Sequence, residues 1–146
     1  MEKKELQNAI EEAKKSEQDI PVGCVIKFEG KIIAQAHNMR EELNDITSHA
    51  EILAIKEAQQ KLKSSRLQDC EMYVTLEPCP MCGWAILQSG IKTLYFGAYN
   101  PQYGSMGSNP DVNLLKISNS KIKVYGGIME EECKDLLDNF FTGIRK

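Results

Sequence analysis

The order of helical and extended patterns predicts an α/β fold, a mixed sheet of about five strands flanked by helices. Apolar residues recur at helical spacing in several separated stretches, and short β-rich runs lie between them. The first two of these runs are joined by a tight turn, so the sheet opens with a hairpin and continues through crossover helices.

Each element has its own signal. Leu6, Ala9, Ile10 and Ala13 give an amphipathic first helix of about four turns. Residues 22–28 and 31–36 read as strands, and Glu29-Gly30 is the turn between them. Ser48 followed by Glu51 reads as a capping box, with Ile52, Ile55, Ala58 and Leu62 striping a second helix behind it. That reading places His49 in the first helical turn. Residues 72–76 form a strand without strict alternation, which suggests burial on both faces. Pro80 suits the first position of a third helix, Cys79 its cap and Gly90 its stop. Strands at 93–96 and 122–125 flank a loop at 100–110, and Met129, Cys133, Leu136, Leu137 and Phe140 stripe a final helix. Phe140 is expected in the core.

The 146 residues suit a single domain, residues 1–146, large enough to bury roughly 68–70% of its unfolded surface without help from a metal. The charged N-terminus lacks the apolar core of a signal peptide, and no apolar run approaches the ~18–20 residues of a membrane span. Five cysteines without a secretory signal imply a reducing cytoplasm, with Cys24, Cys70 and Cys133 as small buried hydrophobes. A formal net charge of −3 excludes a wholly basic polyanion binder. It leaves room for a local patch, formed by Lys56, Lys61, Lys63 and Arg66.

Chemistry concentrates in two turns. His49 stands in Ser48-His49-Ala50-Glu51, and Cys79 and Cys82 stand in Glu77-Pro78-Cys79-Pro80-Met81-Cys82. One imidazole and two thiolates supply three zinc ligands, one short of a closed tetrahedral site, so a position remains for water. Glu51 adds a carboxylate able to move protons to and from that water. Taken singly, Glu51 would read as a helix cap, the Cys-x-x-Cys pair as a redox couple or half of a structural site, and His49 as a capping or core residue. Their combination favours one catalytic Zn²⁺ per chain. His37, at a strand end, is a weaker ligand candidate.

His-x-Glu followed by Pro-Cys-x-x-Cys is a known signature of zinc nucleobase deaminases. The chain resembles the cytidine-deaminase superfamily, with its three-layer fold, and most closely the bacterial tRNA-specific adenosine deaminases (TadA). The resemblance runs nearly the full length, through Ile20-Pro21-Val22-Gly23, Asn38, Thr47 to Glu51, the run from Tyr73 to Cys82, Gly97-Ala98, Gly104, Gly107-Ser108, Gly127-Ile128 and Phe140-Phe141. It implies zinc ligands at His49, Cys79 and Cys82, and a proton shuttle at Glu51. Substrate contacts are implied at Asn38, Ala50, Asn100, Phe141 and Arg145. The implied reaction is hydrolytic deamination of adenosine to inosine at the wobble position of a tRNA anticodon by zinc-bound hydroxide, in a cytoplasmic homodimer. Asn100 departs from the aspartate common there, which implies a weaker penalty against DNA.

Three other readings share these residues. One is a zinc deaminase of a free base or nucleoside, such as guanine or cytidine. Another is a non-catalytic RNA-binding protein with structural zinc, disfavoured by Glu51 and the missing fourth ligand. The third is a thiol redox protein using Cys79 and Cys82.

Overall fold

The computed structural model describes residues 2–145, with side chains for residues 2–143. Helix α1 (Glu2–Ala13) continues into a short 3-10 turn and stops at Glu17, whose φ of 51° no helix can hold. Strands β1 (Gly23–Phe28) and β2 (Lys31–His37) pair antiparallel. Glu29 and Gly30 both take positive φ, 48° and 78°, the twist that two-residue hairpin turns require. Helix α2 (Ala50–Leu62), β3 (Cys70–Leu76), α3 (Pro80–Ser89) and β4 (Thr93–Ala98) follow. A short helix α4 (Leu114–Ser118), β5 (Lys123–Tyr125) and α5 (Glu130–Arg145) complete the fold.

The sheet order is β2-β1-β3-β4-β5. Strand β3 is its axis, antiparallel to β1 and parallel to β4, with β5 parallel at the edge. Met72, Tyr73, Val74 and Thr75 of β3 are all buried, as continuous burial on both faces predicts. One face packs Cys24, Ile26, Met72, Val74, Leu94 and Phe96 against Ala54, Ile55 and Ala58 of α2 and Ile86 of α3. The other sets Val25, Tyr73 and Ala98 against Leu6 and Ile10 of α1 and Cys133 of α5. Each buried Leu or Ile contributes about 1.5–3 kcal/mol, so helices on both faces are needed to hide the sheet. Gly23 lets α1 lie close, since a Cβ there would sit 1.9 Å from the Ala9 carbonyl oxygen.

Three expectations are corrected. Ser48 is not a cap: its hydroxyl donates to Asp45 at 2.8 Å, because that carboxylate already gathers the Thr47 N–H and hydroxyl. His49 is itself the N-cap residue, at φ −75° and ψ 155°, and its carbonyl accepts the Leu53 N–H. Helix α4 and the 3-10 turn before it follow the expected loop, in a stretch for which no element was predicted, their starts set by the side chains of Asn109 and Asn113. Phe140 is half-buried and edge-on to Phe141, outside both core clusters.

Candidate active site

Strands β3 and β4 run parallel and end at one edge of the sheet, where α2 and α3 both begin. Cys79 caps α3 with Pro80 at its first position, as the sequence predicts, and Cys82 lies one turn in. Two helix N-termini thus meet at one point, each presenting unpaired N–H groups and partial positive charge. The ligand atoms of His49, Cys79 and Cys82 lie within 4.8 Å of one another. His49 Nδ1 is 3.7 Å from Cys79 Sγ and 3.5 Å from Cys82 Sγ. A tetrahedral zinc with Zn–N near 2.05 Å and Zn–S near 2.3 Å sets such atoms about 3.6 Å apart, so the three residues fit that metal.

Their electrostatics suit a cation. The hydrogen bond from Cys82 pulls the Cys79 thiol down to about 4, and the same contact, followed by burial, pushes Cys82 far up. One negative charge is shared between them, and a cation is what ionises the second thiol. The bond to Cys79 also raises His49 above its ordinary value. Glu51 is 4% exposed, and burial, then the Cys79 charge, raises its carboxyl to about 7. At that value it both accepts and returns a proton near neutrality.

A cavity of about 370 Å³ opens over this cluster. His49, Ala50, Glu51 and Cys79 form its floor, while Asn38, Arg40, Asn100 and Tyr103 line its walls. Asn38 is braced by Nδ2 donating to the Ile20 carbonyl at 3.1 Å and Oδ1 accepting the Arg40 N–H at 3.1 Å. Asn100 is held through Oδ1, which accepts the Tyr103 N–H at 3.2 Å.

Glu77 takes part as well, although no sequence motif singles it out. Its carboxylate is 1% exposed and accepts hydrogen bonds from the backbone N–H groups of Asn100, Met106 and Ser108, and from the Ser108 hydroxyl. It therefore ties the loop carrying Asn100 and Tyr103 to the cysteine turn. A Cβ on Gly104 would sit 2.4 Å from that carboxyl carbon, so the loop closes around it only with glycine there. The available signal was an acid before Pro-Cys with a Gly/Ser-rich loop downstream, rich in donors needing an acceptor.

Other expected residues lie elsewhere. Phe141 is exposed on α5 and does not line the cavity. Arg145 ends α5, and its side chain is outside the described residues. Lys61 and Lys63 sit at the far end of α2, about 20 Å from His49 at 1.5 Å per residue, and Lys61 pairs with Glu57 at 3.6 Å. His37 Nδ1 faces Glu12 at 3.6 Å, away from the cluster. Among the described residues no helix is long and apolar enough to cross a membrane.

A mixed sheet of this order, with a His/Cys/Cys cluster and a buried carboxylate at paired helix starts, defines a deaminase-type protein, and the MafB19-like deaminase family matches residues 2–145. A tRNA-specific adenosine deaminase of Bacillus subtilis is 41% identical over 97% of this chain and 89% of its own length. One from Aquifex aeolicus is 42% identical over 96% of this chain and 93% of its own. A solved structure from work on A-to-I editing by tRNA:A34 deaminases at the wobble position superposes with a TM-score of 0.87, at 36% identity, covering 92% of this chain and 99% of that one. The chain belongs to the tRNA-specific adenosine deaminase family.

Proposed function

We propose that residues 1–146 form one zinc-dependent deaminase domain that converts adenosine to inosine at the wobble position of a tRNA anticodon. The observation that carries the chemistry is the pair of distances from His49 Nδ1 to the two cysteine sulfurs, 3.7 and 3.5 Å, beside a buried Glu51. The naming and near full-length coverage of the relatives support the tRNA substrate.

His49, Cys79 and Cys82 would hold the zinc, which supplies Lewis acidity that makes water a usable nucleophile at neutral pH. Glu51 takes one proton from water and delivers it to the ring nitrogen; it then takes the second proton from the hydroxyl newly bonded to the ring carbon and passes it to the amine, which leaves as ammonia. Its buried carboxyl, raised to about 7, spans both halves of that cycle. Asn38 and Asn100 orient the nucleoside from the cavity walls, and Ala50 at the start of α2 forms part of the floor. A cavity of about 370 Å³ has room for a base and none for a duplex, so the target base leaves its stack first. A base in a single-stranded loop gives up little to do so. Phe141, outside the cavity, and Arg145, at the end of α5, would meet RNA flanking the target. Met81 and Trp84, exposed one turn apart on α3 beside the ligand cysteines, support a homodimer. All five cysteines are free, which suits the cytoplasm.

The zinc-loaded protein should be incubated with an anticodon stem-loop carrying wobble adenosine and, separately, with free adenosine, cytidine and guanine. Inosine formed only in the RNA is the expected result. Turnover of a free base or nucleoside in preference to the RNA would overturn the substrate reading.

A further inference from the structure

At the opposite end of the parallel strands a second concavity opens, about 600 Å³ in volume. The run from Thr93 to Ala98 separates it from the active-site edge by about 17 Å at ~3.3 Å per residue. Tyr95 and Tyr125 line it, and they belong to a column of three tyrosines. Tyr73, Tyr95 and Tyr125 are direct register partners on β3, β4 and β5, and their rings stack at 4.7 Å and then 5.3 Å, with interplanar angles of 6° and 21°. The column begins in the core, where Tyr73 is 3% exposed, and ends at the sheet edge, where Tyr125 is 48% exposed. Among the described residues β5 pairs only with β4, and no strand covers the outer side of Tyr125.

Lys92, Lys121 and Lys123 line the same concavity, against a single lining carboxylate, Glu71. This local excess of positive charge stands on a chain whose formal net charge is −3. An aromatic ring presented at a sheet edge among lysines has the two parts of a single-strand nucleic-acid site, a face for a base and cations for the backbone. A duplex offers no free base face, and an acidic peptide would have no use for a stacking ring.

We propose that the Tyr125–Lys92–Lys121–Lys123 groove binds a single-stranded segment of RNA, with one unpaired base stacked on Tyr125 as the fourth ring of the column. The choice of RNA rests on the substrate reading above. The groove would give the enzyme a second hold on its substrate, remote from the reacting base.

The test uses the full-length zinc-loaded protein and a fluorescent oligouridylate of about twelve nucleotides, within the span that such sites cover. Oligouridylate contains no adenosine to occupy the catalytic cavity. Tyr125→Ala should weaken binding about 5- to 150-fold, the worth of one stacked base, and Tyr125→Phe should bind like the parent protein. Replacing Lys121 and Lys123 by alanine should flatten the logarithmic salt dependence by about 1.4, at ~0.7 per phosphate contact on a single strand. Unchanged affinity for Tyr125→Ala, or equal loss in Tyr125→Ala and Tyr125→Phe, would overturn the proposal, as would a lysine effect with no tyrosine effect. Should Tyr125→Ala fail to fold, iodouridine-substituted RNA photocrosslinked to the parent protein decides instead. A crosslink on the 121–125 segment is expected, and crosslinks confined to the catalytic cavity would refute it. Failure of the substrate reading would show separately, as absence of inosine in the anticodon stem-loop.

Discussion

Replacing Glu77 by alanine should loosen the loop over the active site while leaving the metal ligands in place. The carboxylate accepts from the Met106 N–H at 3.0 Å, the Asn100 and Ser108 N–H groups at 3.1 Å each, and the Ser108 hydroxyl. Met106 is 4% exposed, so its N–H finds no water in the variant, and an unmet buried donor costs about 1–3 kcal/mol. The Asn100 and Ser108 groups lie nearer solvent and lose about 0.5–1.5 kcal/mol each. Relief of the carboxylate's own burial offsets part of this, leaving a net loss of about 3 kcal/mol. With a urea slope near 2 kcal/mol/M, the unfolding midpoint falls by roughly 1.5 M. Glu77→Gln keeps one acceptor oxygen and should fall between the two. Because Asn100 and Tyr103 ride on this loop, KM for the stem-loop should rise more than kcat falls. Urea melts with matched zinc analysis make the measurement. A Glu77→Ala midpoint within 0.3 M of the parent, roughly 0.6 kcal/mol at that slope, would refute the idea that this carboxylate organises the loop.

Three further outcomes follow from the same geometry. Glu51→Ala should keep about one zinc per chain by metal analysis and lose at least the ~10²–10⁴-fold typical of general acid–base catalysis; normal turnover would contradict the shuttle. Cys82→Ser should lower zinc content and activity together, because a hydroxyl is a far poorer zinc ligand than a thiolate, and full zinc occupancy would count against the ligand set. Tyr73 is pushed above its ordinary value by burial first and then by the Glu71 charge, and Tyr95 is raised by the same two causes. Above about pH 10 the unfolded chain sheds these protons while the folded chain keeps them, so stability is whole below that pH and declines as pH rises. Denaturant melts from pH 9 to 11 should show that slope, and Tyr73→Phe should reduce it.

Much of the site was legible because short-range chemistry determines it. Cys79 as a cap before Pro80, Gly90 as a stop, and the hairpin turn at Glu29-Gly30 depend on neighbours in sequence and appear in the structure as expected. The capping box failed for an equally local reason: Asp45, three residues before Ser48, competes for its hydroxyl. That competition makes His49 the cap and keeps Glu51 out of capping duty. The role of Glu77 was not legible, since its partners lie 23–31 residues downstream and a buried acceptor is recognised only once its donors surround it.

Residue identity and spacing alone determined the donor set, the carboxylate beside it and the alternation of strands with helices. Tertiary structure decided what those groups could do together. Strands β2 and β3 are both antiparallel to β1 and so run the same way, which brings the starts of α2 and α3 to one edge, where an imidazole and two sulfurs separated by 30 and 33 residues lie within 4.8 Å. Burial there raises Glu51 to about 7, a property of its surroundings and not of its sequence position. The tyrosine column likewise exists only through register, because residues 73, 95 and 125 share no sequence pattern until three strands align them.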